Sequence, residues 1–279
     1  MKKRKANQYP FIFLTIIHVG MLIYTFYKGK DRKKLVILLL SNIGKAYLFE
    51  YIAFNIFQSY IYKPKFFKIK ALDNTVGAIL SQAVFVPITA LFITCFKLGL
   101  KTKLFFTMYF VIIERVFIKL GVFSTKWWKT SYTATLLPFY FLLSDFWEKH
   151  LQKKTPTVLF LSLLNSLIVI NSTILYSLAI FRKLRFGIGY NHSWREHFIV
   201  VPLYTIVLAK VTTWAVYKNN YFNKYIVFIL RLLFDWLLKK SKILKSKLPY
   251  LIEVLIHILM LFVAQVLKRL VYSAEKRKQ

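Results

Sequence analysis

Apolar runs of about 17 to 25 residues recur from one end of the chain to the other, separated by short polar segments crowded with lysine. A helix rises 1.5 Å per residue, so about 20 such residues cover the roughly 30 Å of hydrocarbon in a bilayer. The pattern predicts helical crossings near residues 9–27, 35–58, 75–96, 104–123, 131–147, 156–181, 198–217, 222–238 and 248–271. The expected fold class is therefore all-α, a polytopic transmembrane helical bundle of about nine crossings. All six tryptophans fall near the ends of these runs. Trp127, Trp128, Trp194 and Trp236 are thus expected at headgroup depth, as members of an interfacial aromatic belt.

Composition strengthens this reading. Of 279 residues, 57% are apolar and 18% aromatic, more than a water-soluble domain of this length hides in one core. The net charge of +32 would suggest nucleic acid in a soluble protein. Here the basic residues cluster in loops between apolar runs, and no basic-aromatic binding fold is visible, so nucleic acid is not the expected partner. Anionic membrane lipids are, since each juxtamembrane cation gains about 1 kcal/mol near an anionic leaflet. The single cysteine, Cys95, excludes an internal disulfide and a cysteine-based metal site. The start, Met1 to Lys5 followed by the run from Pro10 to Tyr27, is shaped like a secretory signal but lacks small residues at a cleavage site. An uncleaved first crossing is expected. Lysine-rich loops at Lys28 to Lys34 and Lys63 to Lys70 flank one crossing on both sides, so the positive-inside rule has little contrast. Lys2, Lys3, Arg4 and Lys5 favour a cytoplasmic N-terminus; an odd number of crossings then sets Lys276, Arg277 and Lys278 on the other side, against the same rule.

The halves, 1–150 and 151–279, look related. Phe85-Val86-Pro87 is matched by Val200-Val201-Pro202, and each is followed by a lysine-bearing loop and a helix with a late acidic residue, Glu114 in one half and Asp235 in the other. This order predicts two parallel four-helix repeats with an extra N-terminal helix. The stretch from Tyr62 through Pro64, Lys65 and Asp73, then Pro87, Glu114-Arg115 and Lys126-Trp127-Trp128, resembles the CBO-named family of integral membrane proteins of spore-forming Firmicutes. The resemblance covers residues 1–150, although Asp73 and Pro87 are further apart than in that family and a second copy follows. It implies a membrane location and a sporulating host, and carries no established activity.

Charges inside the apolar runs are the most informative feature, because each costs about 2.5 to 3.5 kcal/mol at the bilayer centre unless it faces the bundle interior. Arg231 and Asp235 share a helix face and are expected to pair, as are Glu253 and His257, which either neutralise each other or exchange protons. Glu114 and Arg115 point about 100° apart and need partners elsewhere. Lys45 and Glu50 in the second crossing and Lys210 in the seventh are the candidates for such interhelical pairs, with pairing expected for Glu50 and a snorkelling position for Lys210. Asp73 is expected to cap a helix N-terminus. Ser81, Gln82, Asn165, Asn171 and Gln265 supply neutral polar groups that either join helices or line a solute path. Pro87, Pro138 and Pro202 kink helices and make room for a cavity.

No catalytic motif is present, the five histidines have no metal-ligand spacing, and nothing calls for a cofactor. The cluster from His192 to His197 suits either a headgroup contact or an interfacial turn. The expectation is a non-enzymatic accessory or lipid-interacting protein of a bacterial cytoplasmic or spore membrane. The alternative is a small-solute or ion carrier that uses the intramembrane carboxylates.

Overall fold

The computed structural model describes residues 7–218 and 221–272, so the basic ends Lys2 to Lys5 and Lys276 to Lys278 lie outside the described residues. Among those described, nine long helices alternate with four three-residue strands. The chain divides into two compact units, Met1–Lys153 and Lys154–Gln279.

The first unit holds α1 (Gln8–Lys28), α2 (Arg32–Ile56), β1 (Tyr60–Tyr62), α3 (Lys70–Cys95), α4 (Leu100–Lys119), β2 (Phe123–Thr125) and α5 (Thr130–Gln152). The second holds α6 (Pro156–Ile180), β3 (Leu184–Phe186), α7 (Trp194–Tyr217), α8 (Tyr221–Lys240), β4 (Leu244–Ser246) and α9 (Tyr250–Tyr272). Six of the helices, α1, α2, α3, α6, α7 and α9, are long and apolar enough to cross a membrane. The remaining three carry much of the ionisable load, including Lys103, Glu114 and Arg115 in α4, Asp145 and Glu148 in α5, and Arg231 and Asp235 in α8.

Helix ends follow local chemistry. Asp31 accepts a hydrogen bond from the Lys34 amide at the start of α2. Ser193 and Glu196 form a reciprocal capping box at the start of α7. At the other ends, Gln58 (φ 49°), Gly121 (φ 70°), Arg182 (φ 55°) and Lys242 (φ 58°) turn the chain through the left-handed region just before each of the four strands. Two helices widen into single π turns, Tyr51–Ile56 at the end of α2 and Leu80–Phe85 within α3. Pro87, which has no N–H to continue the ladder, lies two residues after the end of the second of these turns. Pro138 and Pro202 lie within continuous helices.

The strands were not foreseen, and they expose a closely matched order in the two units. β1 pairs antiparallel with β2, Tyr60 opposite Thr125 and Tyr62 opposite Phe123. β3 pairs with β4 in the same way, Leu184 opposite Ser246 and Phe186 opposite Leu244. The flanking bonds recur too: Lys63 N to Val122 O at 2.8 Å is repeated as Gly187 N to Ile243 O at 2.9 Å, and Lys126 N to Ser59 O as Lys247 N to Lys183 O, both 2.8 Å. Glu114 and Asp235 occupy the same place in two helices of 20 residues each. The expected match of Pro87 with Pro202 is not seen, because Pro87 lies in the second half of α3 and Pro202 in the first half of α7. The helix α1 has no counterpart in the second unit.

In the first unit, Asn7 and Gln8 donate to the carbonyls of Lys63 and Lys65, holding the start of α1 beside the strand pair. At the opposite end, Lys34 pairs with Glu148 at 2.8 Å and Lys103 with Asp145 at 2.7 Å. The helices thus run between a strand end and an ion-paired end. Phe11, Leu14, Phe85, Phe110, Phe117 and Phe141 form the buried centre between them.

Candidate functional site

A cavity of about 350 Å³ opens inside the first unit, within the size range of small-molecule sites. Its wall is largely aromatic. Trp128 meets Tyr60 edge-on at 5.4 Å, Tyr60 lies 5.4 Å from Phe123, and Phe123 lies 4.9 Å from Tyr62. Apolar side chains that are exposed on the outside of the unit, Phe49 on α2 and Leu136, Phe139 and Leu143 on α5, also line this space and form its rim.

A few polar groups are set into the apolar wall. Glu114 accepts a hydrogen bond from the Thr133 hydroxyl, which in turn accepts one from the Trp128 indole at 2.9 Å. Its second oxygen, Oε1, is buried without a hydrogen-bond partner among the described residues. Glu50 stands behind the wall, where the two π turns bring α2 and α3 together. It accepts from Gln82 at 2.6 Å and from the Tyr60 hydroxyl, and both donors line the cavity. Burial raises the Tyr60 phenol pKa, and the neighbouring Glu50 carboxylate raises it further, so Tyr60 stays the donor. Lys45 also lines the cavity, with its ammonium 4.1 Å from the centre of the Trp147 ring and without a hydrogen-bond acceptor among the described residues.

The second unit has a different interior. Asp235 accepts from the Tyr204 hydroxyl and pairs with His257 Nε2 at 2.8 Å. The other ring nitrogen of His257 lies 3.2 Å from Arg231 Nε, and Arg231 also reaches Thr212 at 3.2 Å and the sulfur of Met260 at 2.9 Å. Arg231 is buried to 1% exposure, an unusual place for a guanidinium, and it takes part in this closed network. Among the described residues, the pocket beside Asp235 and His257 measures about 30 Å³.

Several expected pairings are corrected. Arg231 and Asp235 do not bond each other, because His257 stands between them; Glu253 pairs with Lys239 instead of His257. Glu50 makes no ion pair among the described residues. Lys210 is exposed, in keeping with a snorkelling side chain. Asp73 does not cap α3; it accepts the amides of Lys65 and Phe67, both at 3.0 Å, and folds the preceding loop back onto the first turn. Arg115 is exposed on α4, pointing away from the cavity lined by Glu114.

Trp127 and Trp236 are exposed, and Trp127 donates to the Phe57 carbonyl at 2.8 Å. Trp194 is half-buried beneath the Arg185 guanidinium, 3.2 Å from the ring centre. Trp147 departs from the belt pattern, being buried beside Lys45. The His192 to His197 cluster is a folded turn: His192 contacts the Lys242 carbonyl at 2.7 Å, and His197 accepts the Phe186 amide at 3.0 Å. Sequence reasoning missed Tyr60, Thr133, Tyr204, Lys103 and Lys239 as partners of the acids. Lys103 and Lys239 lie in the first and last turns of their helices, just outside the expected crossings, so the apolar pattern gave no signal for them.

No protein-family model, curated protein or solved structure matches this chain.

Proposed function

We propose that this chain is a duplicated multi-pass membrane protein whose first unit binds an apolar or amphiphilic molecule taken from the bilayer. The observation that carries the binding reading is the aromatic cavity with Glu114 and Lys45 in its wall and exposed apolar side chains at its rim. Rim residues on the lipid-facing side of a bundle put the opening against acyl chains, so a ligand reaches the site without passing through water. The paired strand registers and the equivalent places of Glu114 and Asp235 support a duplication, with α1 as the extra helix and about nine crossings in all. The loop and membrane features of residues 1–150 that resemble the CBO-named family fit the same reading, as do basic loops that hold anionic headgroups in a bacterial membrane. The carrier alternative draws on the carboxylates, but Asp235 is joined to His257 and Arg231 within a nearly filled space, a structural arrangement rather than a pathway.

The test is saturable quenching of Trp128 by a nitroxide-labelled long-chain alcohol in maltoside micelles, read as the difference between the native protein and Trp128→Phe. Saturation that disappears when Ala46→Phe fills the cavity is the expected result. Quenching that rises linearly with probe, with and without the filling substitution, would overturn the binding reading.

A further inference from the structure

The acids of this chain are few, and their partners separate them into groups. Asp145, Glu148 and Glu253 have lysine partners, and Asp235 has His257. Asp31, Asp73 and Glu196 accept backbone amides at or near helix starts. Glu50 and Glu114 alone among the described acids depend on neutral side-chain donors; Glu114 lines the cavity, and Glu50 lies behind its wall, held by Tyr60 and Gln82, which line it. In a chain with 42 basic and 10 acidic residues, a lack of counter-charge at this one place is unusual.

The cation already present does not supply it. Lys45 is on the same wall, but its ammonium is over the Trp147 ring and forms no salt bridge with either acid among the described residues. Glu114 is therefore an acid in the cavity wall with no cation paired to it among the described residues, inside a strongly basic protein. The cavity wall includes Trp128, linked to Glu114 through Thr133, and Tyr60 and Phe123 in ring contact beyond it, and aromatic rings attract cations as well as alkyl groups. A carboxylate in a largely aromatic cavity wall, with one oxygen lacking a partner among the described residues and apolar side chains at the rim, fits a ligand with an ammonium group on an alkyl chain.

We infer that the cavity takes an ammonium-bearing amphiphile, with the ammonium at Glu114 against the aromatic wall and the alkyl chain directed to the rim between α2 and α5. This deepens the binding reading above and rests on it. The same chemistry is offered by a free long-chain amine and by the ethanolamine headgroup of a phospholipid.

The experiment compares dodecylammonium, dodecanol and dodecyl sulfate, each titrated against Trp128 fluorescence in maltoside micelles. The amine should bind at least about tenfold more tightly than the alcohol, with the sulfate weakest. Glu114→Gln should erase this preference while alcohol binding persists. Glu114→Asp, which keeps the charge, should retain part of it, and Lys45→Met should strengthen amine binding. Competition by added ethanolamine phospholipid, but not by its glycerol counterpart, assigns the ammonium to a lipid headgroup; amine binding unaffected by either lipid assigns it to a free amphiphile. Equal binding of amine and alcohol, or a preference unchanged in folded Glu114→Gln protein, would overturn the inference while leaving the binding reading intact. Saturable binding of none of the three would remove the binding reading itself.

Discussion

The two units share one frame and differ in what fills it. Each has a helix, a strand, two helices, a second strand and a last helix, with the strand pair clasping one end. Yet among the described residues the cavity at Glu114 measures about 350 Å³ and the one at Asp235 about 30 Å³. The difference comes from particular side chains. In the second unit, Arg231, His257 and Met260 project into the middle and satisfy one another. The place of Arg231 in α8 is held in α4 by Phe110, which lies on the cavity wall and brings no charge for Glu114 to meet. A frame held by backbone bonds at its strand end tolerates either interior, so an open interior can be kept for a ligand while a closed one supports the fold.

This contrast can be broken most directly at the equivalent acids. Asp235→Asn should cost about 3 to 5 kcal/mol of stability, because it leaves the buried Arg231 without its charge partner across His257. Glu114→Gln should cost no more than about 1 kcal/mol, since only a neutral donor is affected. Unfolding of both variants in mixed micelles by increasing dodecyl sulfate gives the comparison, and equal losses would mean that the two interiors are not different in kind.

A second measurement sharpens the contrast in the opposite direction. Ala46→Leu adds apolar volume to the wall of the open cavity and should raise stability by about 0.5 to 2 kcal/mol, read in the same unfolding assay, as cavity filling commonly does. A loss of stability would show that the space is already occupied by structure-bearing groups. The smallest effect concerns the turns before the strands. Gly121 and Lys242 hold equivalent left-handed positions, and a Cβ at Gly121 would meet nothing within 4 Å. Gly121→Ala should therefore cost about 1 kcal/mol through backbone strain alone, and Lys242→Gly should be neutral or stabilising. Opposite signs would mean that the turns do not play the same part in the two units.

Much of the frame was legible in the sequence because a bilayer-length apolar run is a strong and local signal. The helices α2, α6, α7 and α9 begin and end within a few residues of the expected runs. The strands were not legible: Tyr60–Tyr62 and Leu184–Phe186 are three residues long, too short for a period of two to be visible, and their pairing joins distant segments. Glu50 and Glu114 stood out as acids within apolar runs, but their partners did not. Spacing along one helix pointed to Arg231 for Asp235 and to His257 for Glu253, whereas contacts between helices, which a linear pattern does not encode, placed His257 with Asp235 and Lys239 with Glu253. The proline match was misleading for a related reason, as a residue tolerated at many depths of a membrane helix carries little positional information.

The rim of exposed apolar side chains has a consequence for how occupancy is counted. Phe139, 64% exposed, belongs both to the outer surface of α5 and to the lining of the cavity. For a bundle set in lipid, the reservoir that feeds such a site is two-dimensional. Occupancy then follows the ligand's mole fraction among the surrounding lipids, and diluting the whole preparation with buffer leaves it unchanged so long as the ligand stays partitioned in the bilayer.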